Sequence, residues 1–189
     1  MDDEVNEQAD DTVCFYVWSG YYDQDEVFDI TTDEVEDEDD DYLRTAIDRE
    51  FQRKQEAERD WPAVTDCDRL DRVFESLPTG CIVTRHRCGM TIQDGLEVIE
   101  RLYNEAGEKK PDLIGYCFYH LQDMEAAMWG EVGLWLAFGG FPPTREQAAR
   151  VGQVVREEFE RAGFTVEWDG TPDSRLLLKG FRWQRRGPA

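Results

Sequence analysis

The chain has 189 residues, 40% of them hydrophobic and 12% aromatic, enough for one globular domain with a true core and an extension. Its formal net charge of −22 argues against phosphate-bearing partners, nucleic acid or anionic membrane, because those are held by Lys and Arg. Five cysteines without a CxxC pair read as free thiols of a reducing cytosol, and the apolar run 13–18 is too short for a signal sequence or a membrane span. The expectation is a soluble, cytoplasmic protein.

The charge is concentrated at one end: residues 1–60 hold 23 acidic and 5 basic residues, a net of −18, which leaves −4 for residues 61–189. Residues 1–11 carry a single sizeable apolar side chain among acids and are expected to be a disordered terminus. Residues 12–60 read as an acidic, mainly helical segment packed on the body. Within it, 12–18 is a short helix or a strand, with helix preferred, and Val27, Phe28 and Ile30 allow a short helix over 24–30. From Tyr42 the spacing of Leu43, Ile47 and Phe51 predicts an amphipathic helix, its acidic entry matched to the helix dipole.

The body is expected over 61–186, followed by a short tail at 187–189. Thr65 and Asp68 fit the cap and third positions of a helix carrying Leu70, Val73, Phe74 and Leu77, which Pro78 and Gly80 stop. Residues 81–85 are β-branched and read as a strand. Thr91 and Asp94 repeat the cap signature ahead of Leu96, Ile99 and Leu102. Residues 113–141 hold two apolar runs around a helix-compatible insert and are the expected centre of the core. Thr144 then opens a helix carrying Val151, Val155 and Phe159, which ends at Gly163. Strands at 164–168 and 175–179, the second with an extension open to it through Phe181 and Trp183, are joined by the turn at 169–173. The fold class is α+β, a mainly antiparallel sheet of about five strands with helices on one face. The basic ending Lys179, Arg182, Arg185 and Arg186 is expected either to fold back on the acidic third or to form a solvated tail.

Candidate chemistry is sparse. His86 and Cys88, with Cys117 and His120, suggest a zinc site, but on a strand Cys117 and His120 point apart, so such a site requires the strand to break first. His120, Gln122 and Asp123 cluster where a core strand ends. A histidine beside a carboxylate can work as an acid–base pair, and the competing reading is a helix cap supplied by Gln122 or Asp123. Asp94 is a catalytic carboxylate in one reading and a capping-box residue in the other. Trp168, Asp169 and Arg175 flank a turn and form either ordinary hairpin chemistry or a binding hot spot. The oxygen-rich run 37–41 could take calcium, without EF-hand spacing to support it. No phosphate loop, HExxH or GxSxG pattern occurs, and no cofactor is expected.

The blocks WPAVTDCDRLDRVF, GYCFYHLQD, GLWLAFGGF and AGFTVEWDGTPDSR resemble, in order and spacing, an uncharacterised bacterial family catalogued only as a domain of unknown function. The resemblance runs from Gly20 to the final Arg pair. It implies that the acidic N-terminal segment belongs to the domain and that Trp61, Asp66, Asp68, Arg69, His120, Gln122, Asp123, Trp168, Asp169, Gly170 and Arg175 matter to fold or function. It implies no activity. The function expected from the residues is a non-catalytic acidic binding module, of inhibitor or immunity type, that engages a basic surface of a partner protein. The alternative is a small enzyme using His120 and Asp123 in a pocket beside the central strands.

Overall fold

The computed structural model describes residues 2–35, 39–77, 81–130 and 132–188. Contacts divide the chain into two units, Met1–Thr65 with Trp183–Ala189, and Asp66–Arg182. The boundaries expected at residues 60 and 186 thus shift: the N-terminal unit extends to Thr65 and takes in the last residues of the chain.

Three helices build the first unit: α1 (Asp2–Ser19), α2 (Gln24–Glu34) and α3 (Asp40–Glu58). The segment expected to be disordered is instead the first half of α1. Ala9, Val13 and Val17, spaced by four, are all fully buried, and the small Ala9 adds the turn of apolar surface that the acids conceal. Asp23 and Glu26 form a reciprocal capping box on α2, and Asp39 caps α3 by accepting from the Tyr42 N–H at 2.9 Å. Asp37 and Glu38 of the run considered for calcium lie outside the described residues, as do Pro78 and Gly80, where a helix stop was expected. Val13, Val17, Val27, Leu43 and Ile47 form the core of the unit, edged by Tyr16, Trp18, Phe28 and Phe51.

The chain's end belongs to this unit. Trp183 Nε1 donates to the Ser19 carbonyl at 3.1 Å, the Arg185 guanidinium lies 4.4 Å over the Tyr21 ring, and Arg186 donates to the Pro62 carbonyl at 2.9 Å. Gly20 turns the chain out of α1 at φ +76°, and a Cβ there would meet the Arg185 carbonyl oxygen at 2.3 Å, so this contact admits only glycine. The two terminal arginines therefore hold rings and carbonyls. Lys179, in the second unit, pairs with Glu167.

The second unit runs α4 (Asp66–Ser76), β1 (Ile82–Arg85), α5 (Ile92–Glu105), a 3-10 turn (Gly107–Asp112), β2 (Gly115–Phe118), α6 (Leu121–Trp129), β3 (Gly133–Gly140), α7 (Arg145–Arg161), β4 (Thr165–Glu167) and β5 (Leu176–Lys179). The fold class is α+β. The five strands lie in the order β1-β2-β3-β5-β4. The sheet is mixed rather than mainly antiparallel, because β1 runs parallel to β2 while the other three pairings are antiparallel. The cause is α5, which carries the chain back along the sheet before β2 begins. Phe181 and Trp183 do not extend β5, since Gly180 at φ +66° turns the chain.

Helices cover both faces, not one. A Cβ on Gly115 would lie 2.6 Å from Val151 of α7, whereas the Cβ position of Gly95 in α5 lies 2.4 Å from the ring of Phe118. Gly115 and Phe118 are three apart on one strand and face opposite ways. Cys117, Phe118, Tyr119, Met124, Leu134 and Leu136 are fully buried, which places the core at the expected centre. Among the described residues no helix is long and apolar enough to cross a membrane.

Candidate functional site

β2 ends at Phe118, and the next two residues are buried before α6 starts. The cap of α6 is His120, rather than Gln122 or Asp123. His120 Nδ1 accepts the Asp123 N–H at 3.2 Å, and Asp123 Oδ2 accepts the His120 N–H at 3.4 Å, a capping box with imidazole in place of a hydroxyl. With Nδ1 acting as acceptor, the ring proton resides on Nε2, which lies 3.1 Å from Asp123 Oδ2.

Arg175, just before β5, completes the cluster. Its Nη1 donates to Asp123 Oδ1 at 2.8 Å and lies 3.5 Å from His120 Nε2, while its guanidinium stands 5.2 Å over the Trp135 ring. His120 is 6% exposed and Asp123 4%. Burial holds the His120 imidazole below its ordinary pKa, Asp123 pulls it up, and Arg175 adds to the lowering. The ring is therefore neutral at pH 7 with both nitrogens engaged, one by a backbone N–H and one by a carboxylate. A general base needs a free lone pair facing substrate, and this one is spent on the helix. The acid–base reading of His120 and Asp123 is set aside on that geometry. Gln122 is exposed on α6, outside the cluster.

The other candidates disperse. Asp94 is the capping box of α5: its Oδ2 accepts from the Thr91 N–H at 2.9 Å and from Thr91 Oγ1 at 3.0 Å, and these bonds, led by the backbone one, hold its carboxyl below the usual range. Asp169 closes its own turn by accepting from the Thr171 N–H at 2.8 Å and from Ser174 Oγ at 2.5 Å. Trp168 packs edge-on to Phe138 and donates to the Thr171 carbonyl at 2.9 Å. Arg175 thus leaves Trp168 and Asp169 to join Asp123, and the expected binding cluster divides in two.

The metal candidates divide as well. The strand does end before His120, yet Cys88 packs with Ile99, Phe118 and Ala137, and Cys117 is buried on the opposite face of β2 from Phe118. Burial pushes both thiols up, away from the thiolate a metal requires. Among the described residues no three His, Cys, Asp or Glu side chains are grouped to hold an ion. His86 belongs to a constellation that sequence reasoning missed: its Nδ1 is 3.0 Å from the Tyr119 hydroxyl, its Nε2 3.5 Å from Asp71 Oδ1, and its ring 4.6 Å from that of Phe74. These residues come from α4 and from beyond β1 and β2, so no local spacing announces them.

No curated protein and no solved structure matches the chain. A family model does, over residues 2–187, which include the acidic helices as well as the sheet. The chain belongs to that family, the domain of unknown function DUF6891.

Proposed function

We propose that the protein is a non-catalytic, acidic binding module that engages a basic surface of a partner protein, in the manner of an inhibitor or immunity-type factor. The observation that carries this reading is the charge on α2. Asp25, Asp29 and Asp33 are exposed, and among the described residues none has a cation partner. Asp33 lies in the last turn, where a negative charge opposes the helix dipole and adds nothing to the fold. The nearby cations are spent elsewhere: Arg49 on Asp10 and Glu50, Arg53 on Glu50, and Arg44 over the Phe28 ring at 4.0 Å. Exposed Asp40, Asp41 and Asp48 of α3 carry the same sign. Uncompensated charge of this kind speeds encounter with an oppositely charged surface, in a salt-dependent way.

The test compares the native chain with a D25N/D29N/D33N/D40N/D41N variant, whose fold is checked by circular dichroism. Both are immobilised and challenged with cell lysate at low and high salt. The reading expects a discrete partner that the native chain retains at low salt, that salt releases, and that the variant fails to retain. Identical retention by both chains, or none by either, overturns it.

A further inference from the structure

Each neighbour pairs with only half of β3, and β2 takes the second half, from Ala137↔Phe118 to Gly140↔Gly115. β5 covers its first half, from Gly133↔Lys179 to Leu136↔Leu176, and stops. Two backbone bonds fix the directions in which β3's groups point. The Phe141 N–H donates to the Ile114 carbonyl at 2.8 Å, continuing the β2 ladder, so Phe141, Gly139 and Ala137 address β2. The Gly180 N–H donates to the Val132 carbonyl at 3.1 Å, continuing the β5 ladder, so the even-numbered residues of β3 address β5. By this alternation the N–H and C=O of Phe138 and Gly140 face the side that β5 leaves open. Neither has a backbone partner among the described residues.

The sequence explains why β5 stops. Continuing the register would place Ser174 opposite Phe138 and Pro172 opposite Gly140. Proline has no N–H to give, and Ser174 is drawn into the Asp169 turn. The open edge forms the floor of a pocket of about 420 Å³, within the range of ligand sites. Tyr116 lies across Gly139, close enough that a Cβ there would meet its hydroxyl at 2.4 Å, and that hydroxyl has no hydrogen-bond partner among the described residues. Leu96 and Glu100 of α5 form a wall, and Arg145 and Asp173 close the rim with two bonds to each other at 2.7 and 2.5 Å. That pair cancels, so the charge left over in the lining is Glu100, which has no cation partner among the described residues.

We propose that this edge docks an extended peptide segment of a partner protein, as long as residues 137–140 and carrying a Lys or Arg, which adds a strand alongside Phe138 and Gly140. Buried or half-buried backbone donors and acceptors are nearly always paired, and strand addition supplies both at once. The aromatic lining takes the aliphatic stem of a basic side chain while Glu100 takes its charge. The site lies wholly within the Asp66–Arg182 unit and does not rest on the acidic face of α2.

The test uses the full chain, amide hydrogen exchange, and nuclear magnetic resonance titration with the probe acetyl-Val-Lys-Val-Lys-amide. In the free protein, Phe138 and Gly140 amides are expected to exchange faster than Ala137 and Gly139. The probe should shift and protect those two amides, and a probe methylated on its backbone nitrogens should not. E100Q should weaken the lysine probe about threefold and leave acetyl-Val-Ser-Val-Ser-amide unchanged. Equal protection of all four amides in the free protein overturns the proposal. So do probe-induced shifts confined to Tyr116 and Phe141, which would mark a small-molecule pocket instead, or no shifts at millimolar probe.

Discussion

Arg175 and Asp123, 52 positions apart in sequence, meet at 2.8 Å and tie the start of β5 to the first turn of α6. Asp123 serves three partners at once: the His120 N–H, the His120 ring and Arg175. Asp123→Ala is therefore expected to cost about 3 kcal/mol, since it removes the carboxylate half of the capping box and leaves Arg175 and His120 Nε2 without their acceptor. Because Arg175 is about a third exposed, its coupling to Asp123 should be only about 1 kcal/mol. A double-mutant cycle of Asp123→Asn with Arg175→Met in urea unfolding measures it.

The depressed pKa of His120 makes stability depend on pH. The unfolded histidine titrates near its ordinary value of about 6.5, and the folded one below it. Between the two the unfolded chain binds the extra proton, so this contribution is complete above the unfolded pKa and is lost as pH falls through the folded one. Urea midpoints are expected to fall from about pH 7 to pH 5, with a shallower fall in His120→Asn, which keeps a capping side chain without the titration. Equal slopes would show that His120 does not contribute.

Glycines separate contact from conformation. Gly115→Ala would set a Cβ 2.3 Å from the Gly139 carbonyl oxygen and 2.6 Å from Val151, so the sheet or α7 must move. A loss of about 3 kcal/mol is expected. Gly107, at φ +56°, has nothing within 4 Å of its Cβ position, so Gly107→Ala should cost only the backbone strain, about 1 kcal/mol. Thermal unfolding of the two variants should preserve that order.

The five thiols should react in a fixed order in native protein. Cys67, Cys88 and Cys117 are buried, and burial pushes the half-buried Cys14 up to about 11. Cys81, also half-buried, is expected to take a thiol reagent first. Mass spectrometry after limited alkylation at neutral pH gives the order, and early modification of Cys117 would contradict the buried position of β2.

Local pattern determined much of this protein. Thr91 with Asp94 announces α5 and Thr144 announces α7, and both caps form, Thr144 accepting from the Gln147 N–H, because cap chemistry needs only residues three apart. The strands, the Asp169 turn and the concentration of charge in the first third were legible on the same grounds. The helix over residues 2–11 was not, because Ala9 shows its value only when a partner helix buries it. Nor was the cap of α6, since the choice of His120 over Asp123 rests on burial and on an arginine 55 residues away. Strand order, the parallel β1–β2 pairing and the open half of β3 were decided by tertiary structure alone. Each depends on which segments meet across long stretches of chain, and period and propensity carry information about near neighbours only.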